Sequence, residues 1–334
     1  MRSRATLLFF VLALLTLGLF VTDLVIGSTA LSIKEVWAAL TGGACDPITR
    51  DIVLKIRLLK AVMAILAGAA LAASGLQMQT LFRNPLAGPY VLGISSGAGL
   101  GVALFLLGAP LLGIAHHTFI QSLGVAGAAW IGSGLVLLLI MAISRRIKDI
   151  MVILILGMMF GSGISSIVEI MQYLSDEAAL KSFVIWTMGS LGDVTTGQLT
   201  LILPIIVAGL VLSIATIKPL NLLLLGENYA HTMGLNIARS RRLIFLSTVL
   251  LAGTITAFCG PIGFIGLAVP HLARMLFATA DHRILMPASM LTGAVLLLVC
   301  DIVAKSLAFP INTITSLLGI PVVLFVVLRN RNLF

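Results

Sequence analysis

The sequence predicts an all-α polytopic membrane protein with about ten transmembrane helices. Three observations carry this. The 334 residues are 60% hydrophobic and only 10% charged, whereas a water-soluble domain carries roughly 25% charged residues. Apolar runs recur along the whole chain, each near the ~20 residues that cross a bilayer as a helix. The runs are continuous in Leu, Ile, Val and Ala, without the in/out alternation of a membrane barrel, so helices remain as the way to satisfy the backbone in lipid.

The expected spans are 5–26, 59–81, 91–108, 120–143, 150–172, 198–217, 243–258, 266–279, 284–304 and 311–328. The first follows Arg2 and Arg4, as a signal peptide does. It exceeds the 7–15 residues of a signal core, and Ala30 is a weak cleavage site, so a retained helix is expected. The spans leave no stretch for a soluble domain, and 1–334 reads as one membrane domain.

Loop charge sets the expected orientation. With the N-terminus inside, Arg2, Arg4, Arg83, Arg145, Arg146, Lys148, Lys218, Arg239, Arg241, Arg242, Arg274, Arg283, Arg329 and Arg331 fall on the cytoplasmic side. Lys34, Arg50, Lys55, Arg57, Lys60, Lys181 and Lys305 remain outside. Both termini are therefore expected in the cytoplasm, and the net charge of +9 reflects this bias rather than nucleic-acid binding. Cys45, Cys259 and Cys300 are widely spaced and suggest neither a disulfide framework nor a metal site.

Three polar stretches interrupt the apolar pattern. Residues 27–58 read as short outer surface helices leading into the second span, and 174–197 as a second outer segment. Residues 218–242, inside, contain a piece between Gly226 and Gly234 too short to span, and read as two short helices at the cytoplasmic face. Small residues at four-residue spacing (Ala64/Gly68/Ala72, Gly93/Gly97/Gly101, Gly157/Gly161) allow close helix approach in lipid. Packing within one chain is the plain reading; subunit contact or pathway lining is the other.

Several constellations invite a chemical reading. Gly93-Ile94-Ser95-Ser96-Gly97 matches the GxSxG of serine hydrolases. That motif needs a strand-to-helix turn, and no sheet is expected here; His271 is the conceivable base of an intramembrane protease. His116-His117 reads as loop surface, with haem or metal passage as the sharper alternative. Asp301 and Lys305 are four apart and suggest a local ion pair. Glu169 lies within the fifth span, where a pathway role and a buried structural hydrogen bond are both open. Met151, Met158, Met159 and Met171 share that span and suit either a passage for a bulky ligand or lipid contact. A phosphate-binding GxxxxGK[ST] loop is missing, since no lysine follows a glycine.

From Ile56 onward the chain resembles the permease subunit of the iron-chelate (siderophore/haem) and vitamin B12 ABC importers, the FecCD-type family. The resemblance rests on five motifs in order. They are Gly68–Gln79 (GAALAASGLQMQ), Arg83–Gly99 (RNPLAGPYVLGISSGAG), Trp186–Leu191 (WTMGSL), Gly260–Arg274 (GPIGFIGLAVPHLAR) with Asp281-His282-Arg283, and Asp301–Lys305 (DIVAK). It implies a type II importer in the bacterial inner membrane. Two copies of the permease, two separate cytoplasmic ATPases that bind the ATP, and a periplasmic binding protein would move a metal chelate inward. No cofactor or metal is implied in this chain itself.

The resemblance also assigns roles. Basic residues at the start of the second span and end of the ninth receive acidic side chains of the binding protein; the matching positions are Arg57, Lys60 and Lys305. Leu59 stands where the family has proline, and lysine replaces arginine at two positions, which keeps charge but not the bidentate fork. Gly226, Glu227, Ala230, Met233 and Gly234 match the helices that couple to the ATPase. Ile150 and Met151 match the cytoplasmic gate, and Met158 and Glu169 join them as pathway candidates. The alternative is an ion-gradient-driven secondary transporter, which needs mid-membrane carboxylates; Glu169 is the one that sequence position places deep.

Overall fold

The computed structural model describes residues 2–27, 29, 31–108, 118–147 and 149–329. Among them there is no strand. Helix α1 (Arg2–Val25) is followed by the short α2 (Ile33–Thr41) and α3 (Pro47–Asp51). A π-helical stretch, Ile52–Arg57, fuses α3 to α4 (Leu58–Leu81). Then come α5 (Ile94–Leu106), α6 (Thr118–Arg146), α7 (Ile150–Leu174), α8 (Glu177–Thr187) and α9 (Thr196–Ala215). The short α10 (Ile217–Leu223) and α11 (Glu227–Thr232) precede α12 (Ile237–Thr248), which runs through a second π stretch, Val249–Gly253, into α13 (Thr254–Cys259). Helices α14 (Ile265–Phe277), α15 (His282–Leu307) and α16 (Ile311–Arg329) complete the bundle. Seven of these runs are long and apolar enough to span, and three shorter apolar helices coincide with the remaining expected spans. The pair His116-His117 lies outside the described residues.

Helix starts follow local chemistry. Ser32 and Glu35 form a capping box on α2, and Thr195 and Gln198 form one on α9. Asp46, Asp149, Asp176, Asn236 and Asp281 each accept a backbone N–H at the first turn of α3, α7, α8, α12 and α15. Two boundaries differ from expectation. The second span extends back to Pro47, because Asp46 caps it, Pro47 suits its first turn, and the π stretch leaves the helix continuous. The seventh begins at Ile237, since Arg239, Arg241 and Arg242 are helical rather than loop. A charge run reads as loop until one of its members finds a partner, and Arg241 has Glu227.

The centre of the bundle is α4, packed antiparallel along α15. A Cβ on Gly68 would be driven into the carbonyl of Gly293, and one on Gly293 into that of Gly68. Gly75 meets the carbonyl of Gly266 on α14 in the same way. Lipid supplies no hydrophobic drive between helices, so such close approach and buried polar ties hold them together. Gln77 and Gln79 supply the ties: Gln77 Nε2 donates to Thr216 Oγ1 at 3.0 Å and Gln79 Nε2 to the Leu267 carbonyl at 3.0 Å. Arg274 Nη1 donates to Gln79 Oε1 at 2.7 Å. Gly97 and Gly101 on α5 face Gly132 and Ala128 on α6, and Gly157 faces Val91 and Leu92. The small-residue motifs thus pack helices of one chain.

These contacts rank substitutions. Gly75→Leu should eliminate the folded protein or lower its thermal midpoint sharply, because the obstacle is backbone, and overpacking a core costs about 1–3 kcal/mol or more. Gly127→Ala has nothing within 4 Å and should raise the midpoint, by up to about 1 kcal/mol of helix propensity. Thermal unfolding in detergent compares the two.

Candidate functional site

Because α4 and α15 are antiparallel, Lys60 and Lys305 share one end of the bundle, and Thr80 and His282 share the other. At the Lys60 end, two acidic side chains are fully buried: Asp23 on α1 and Asp301 on α15. Lys305 Nζ lies 2.8 Å from Asp23 Oδ1 and 2.8 Å from Asp301 Oδ2, while Lys60 Nζ lies 3.2 Å from Asp301 Oδ1. The expected Asp301–Lys305 pair therefore exists, but within a four-member cluster joining α1, α4 and α15. Arg57 is 4% exposed. Its Nη1 donates to the carbonyls of Leu24 and Val25 at 2.9 and 2.6 Å, and its Nη2 to Thr29. These carbonyls belong to the last turn of α1, which needs donors from outside the helix, and a cation there also opposes the helix dipole. The three basic residues thus converge, but Arg57 caps α1, Lys305 is 9% exposed and Lys60, at 23%, is the most open. Gly27 lets the guanidinium in, since a Cβ there would lie 2.8 Å from Arg57 Nη2.

On one flank of the bundle, α7 presents Met158, Ser162, Ser165, Ser166 and Glu169 to a cleft of about 510 Å³ closed by Tyr90, Gly93 and Ser96. Glu169 is exposed in this cleft, so the buried structural hydrogen bond does not apply, and the deeply buried carboxylates are Asp23 and Asp301. Met151 is half exposed, and Ile150 packs partly buried at the start of the same helix. The GxSxG segment opens α5, and His271 Nε2 donates to the Pro85 carbonyl at 2.7 Å. That bond ties the 82–93 turn to α14.

At the opposite end, the 218–242 segment holds the two expected short helices, α10 and α11, and from Ile237 the start of α12. Gly226 (φ 101°) and Gly234 (φ 82°) bracket α11 in conformations that a side chain would strain. Ala230 is fully buried on the inner face of α11, whereas Tyr229 and Met233 are 52% and 58% exposed. Glu227 takes both oxygens to Arg241 Nη2, at 2.6 and 2.7 Å. Ile150 and Met151 lie at this end too, because Arg145 at the end of α6 shares a cavity of about 780 Å³ with Glu227 and Arg241. Asn221 on α10 bonds to both Asp281 and His282. The Arg283 backbone N–H, with Asn221 and the neighbouring positive groups, holds the Asp281 carboxyl below the usual carboxylate range.

The profile of the FecCD transport family matches residues 14–329. The chain belongs to the FecCD transport family. It is 38% identical over 314 residues to the hemin transport system permease protein HmuU of Yersinia pestis, covering 91% of this chain and 90% of that one. The molybdate import system permease protein MolB of Haemophilus influenzae is 34% identical, with 95% and 91% covered. The vitamin B12 import system permease protein BtuC of Klebsiella pneumoniae is 37% identical, with 83% and 82% covered. A solved structure described as a metal-chelate type ABC transporter in an inward-facing conformation superposes with a TM-score of 0.84 at 32% identity, over 97% of this chain and 99% of that one.

Position alone does not reveal three of the residues that organise this FecCD-family chain: Asp23, Asn221 and Arg241. Asp23 is the single acidic residue in an otherwise apolar first span, which is the signal that marks it. Asp301→Ala would leave two lysines around one carboxylate. Breaking a buried pair costs about 3–5 kcal/mol, so thermal unfolding of the variant should begin well below that of the parent; an unchanged midpoint would remove the cluster from the structural account.

Proposed function

We propose that this chain is the membrane-spanning permease of an importer that moves a metal chelate, haem-like first among the candidates, into the cytoplasm at the expense of ATP hydrolysed by a separate ATPase. The observation that carries it is the pairing of a lysine–aspartate cluster, with Lys60 at its open edge, at one end of the bundle with a short helix that exposes Tyr229 at the other, in a chain of this family. The hemin and vitamin B12 permeases among its relatives support the chelate, and the absence of a glycine-lysine phosphate loop from the sequence supports an external ATPase. The charge bias of the loops supports an inner-membrane location with both termini cytoplasmic.

In this reading two copies form the transporter, and their α7 faces line the passage, with Met158 and Glu169 along it and Ile150 and Met151 at its cytoplasmic mouth. Serines and a carboxylate give the chelate's polar rim hydrogen-bonding partners, and methionine adapts to its apolar body. The binding protein docks over Lys60, with Arg57 and Lys305 fixing the surface beneath. An arriving carboxylate competes with Asp301 for Lys60. Tyr229 on α11 and Met233 at its C-terminal end seat in the ATPase, and Glu227 transmits force to α12 through Arg241.

Reconstitution tests the whole reading. Proteoliposomes holding the permease and its ATPase, supplied with binding protein and hemin, should accumulate hemin only with hydrolysable ATP; uptake by the permease alone on an ion gradient would contradict it. Met233→Pro should uncouple hydrolysis from uptake, because proline removes the Met233 N–H that closes α11 on the Tyr229 carbonyl at 3.1 Å. Lys60→Glu in both copies should abolish binding-protein stimulation, because it removes the most open cation of the cluster and sets a second carboxylate against the buried Asp301; unchanged stimulation of the assembled transporter would remove Lys60 from the docking surface.

A further inference from the structure

Neither the basic cluster nor the α11 contact accounts for Asn221. It lies on α10, at the entry to the coupling segment, and its side chain makes three hydrogen bonds to the N-cap and first residue of α15. Its Oδ1 accepts from the His282 backbone N–H at 2.9 Å and from His282 Nδ1 at 2.8 Å. Its Nδ2 donates to Asp281 Oδ1 at 2.7 Å, the same carboxylate that caps α15 by accepting from Arg283 N at 2.9 Å. The carboxylate fixes which way the amide points, so Oδ1 must face the histidine and the ring must carry a proton on Nδ1. The other ring nitrogen, Nε2, is then an acceptor and takes the proton of the Thr80 hydroxyl on the last turn of α4 at 2.8 Å, in place of the Leu76 carbonyl at 3.0 Å. His282 is buried. One continuous chain of hydrogen bonds therefore joins α10, α15 and α4.

Leu220 and Leu223 also pack α10 into the core. Apolar packing is non-directional and lets a short helix slide or roll; three directed bonds to one side chain do not. From this joint α15 runs as one helix, through Pro287, to Asp301 and Lys305 at the far end of the bundle.

We propose that Asn221 is the joint through which displacement of the coupling segment is delivered to α15, a positioning residue for ATP-driven import. The proposal rests on reading 218–242 as the coupling segment. Without the joint, α11 still follows the ATPase, but α10 rotates against α15 instead of moving it.

The test uses the assembled transporter in proteoliposomes, with hemin as probe. Asn221→Asp keeps the oxygen that faces His282 but removes the donor and sets a carboxylate against Asp281. Adding Asp281→Asn restores a donor from the other side, and an asparagine there still caps α15. N221D should retain its ATPase and hydrolyse ATP within twofold of the parent, while hemin imported per ATP falls at least fivefold. The N221D/D281N double variant should recover that ratio to within twofold. An unchanged ratio in N221D, no recovery in the double variant, or loss of the ATPase from N221D would each overturn the proposal. Should N221D not fold, N221A carries the test, with the same fall expected and an unchanged ratio overturning it. Failure of the coupling reading shows separately, as normal coupling in Met233→Pro.

Discussion

The close contact of α4 with α15 at Gly68 and Gly293 is the constraint on which the rest of the structure depends. Two helices whose carbonyls occupy the space of each other's missing side chains cannot slide without climbing over backbone. The contact lies mid-helix, and each end of the pair is closed by polar chemistry: Lys60, Asp301 and Lys305 at one, Thr80, His282 and Asn221 at the other. The pair is a strut that spans the molecule.

Each end of the strut holds something else in place. Asp23 and the carbonyls closing α1 are bound to Lys305 and Arg57, which fastens the first helix although most of its surface faces outward. The buried acids hold the lysines in position, so the docking proposed above would cost little side-chain entropy. At the other end, α10 and α11 are attached by directed bonds, Asn221 to α15 and Glu227 to α12. The α7 face with its serines and Glu169 lies outside this strut, packed through Gly157 on the turn at Val91 and Leu92, while Gly97 and Gly101 hold α5 against α6.

Much of this was legible in residue order. Apolar run length located the spans, because lipid forces helices and hydropathy reports lipid. Caps such as Asp149, Asp281 and Asn236 mark helix starts by a local bond that needs no tertiary structure. The glycine spacings announced close packing, though not its partners: Gly68 with Gly293 is a contact across more than two hundred residues. Charge was where sequence order misled. Arg57 and Arg241 look like solvated surface groups, and each is buried because a distant element supplies acceptors. Glu169 looks like the deep carboxylate, but depth along the membrane is not burial inside the protein. Asp23 and Asp301 are the buried acids, and their burial follows from Lys305, which only the folded chain brings to both.

The most direct test of the strut is a distance measurement across its Lys60 end. Ile56 and Leu307 are both more than half exposed, so cysteines there accept spin labels without entering the core. In the assembled transporter the distance between them should stay the same in the nucleotide-free and ATP-trapped states. A shift approaching one helical turn, about 5.4 Å, would show that α4 and α15 move past each other and would contradict the account.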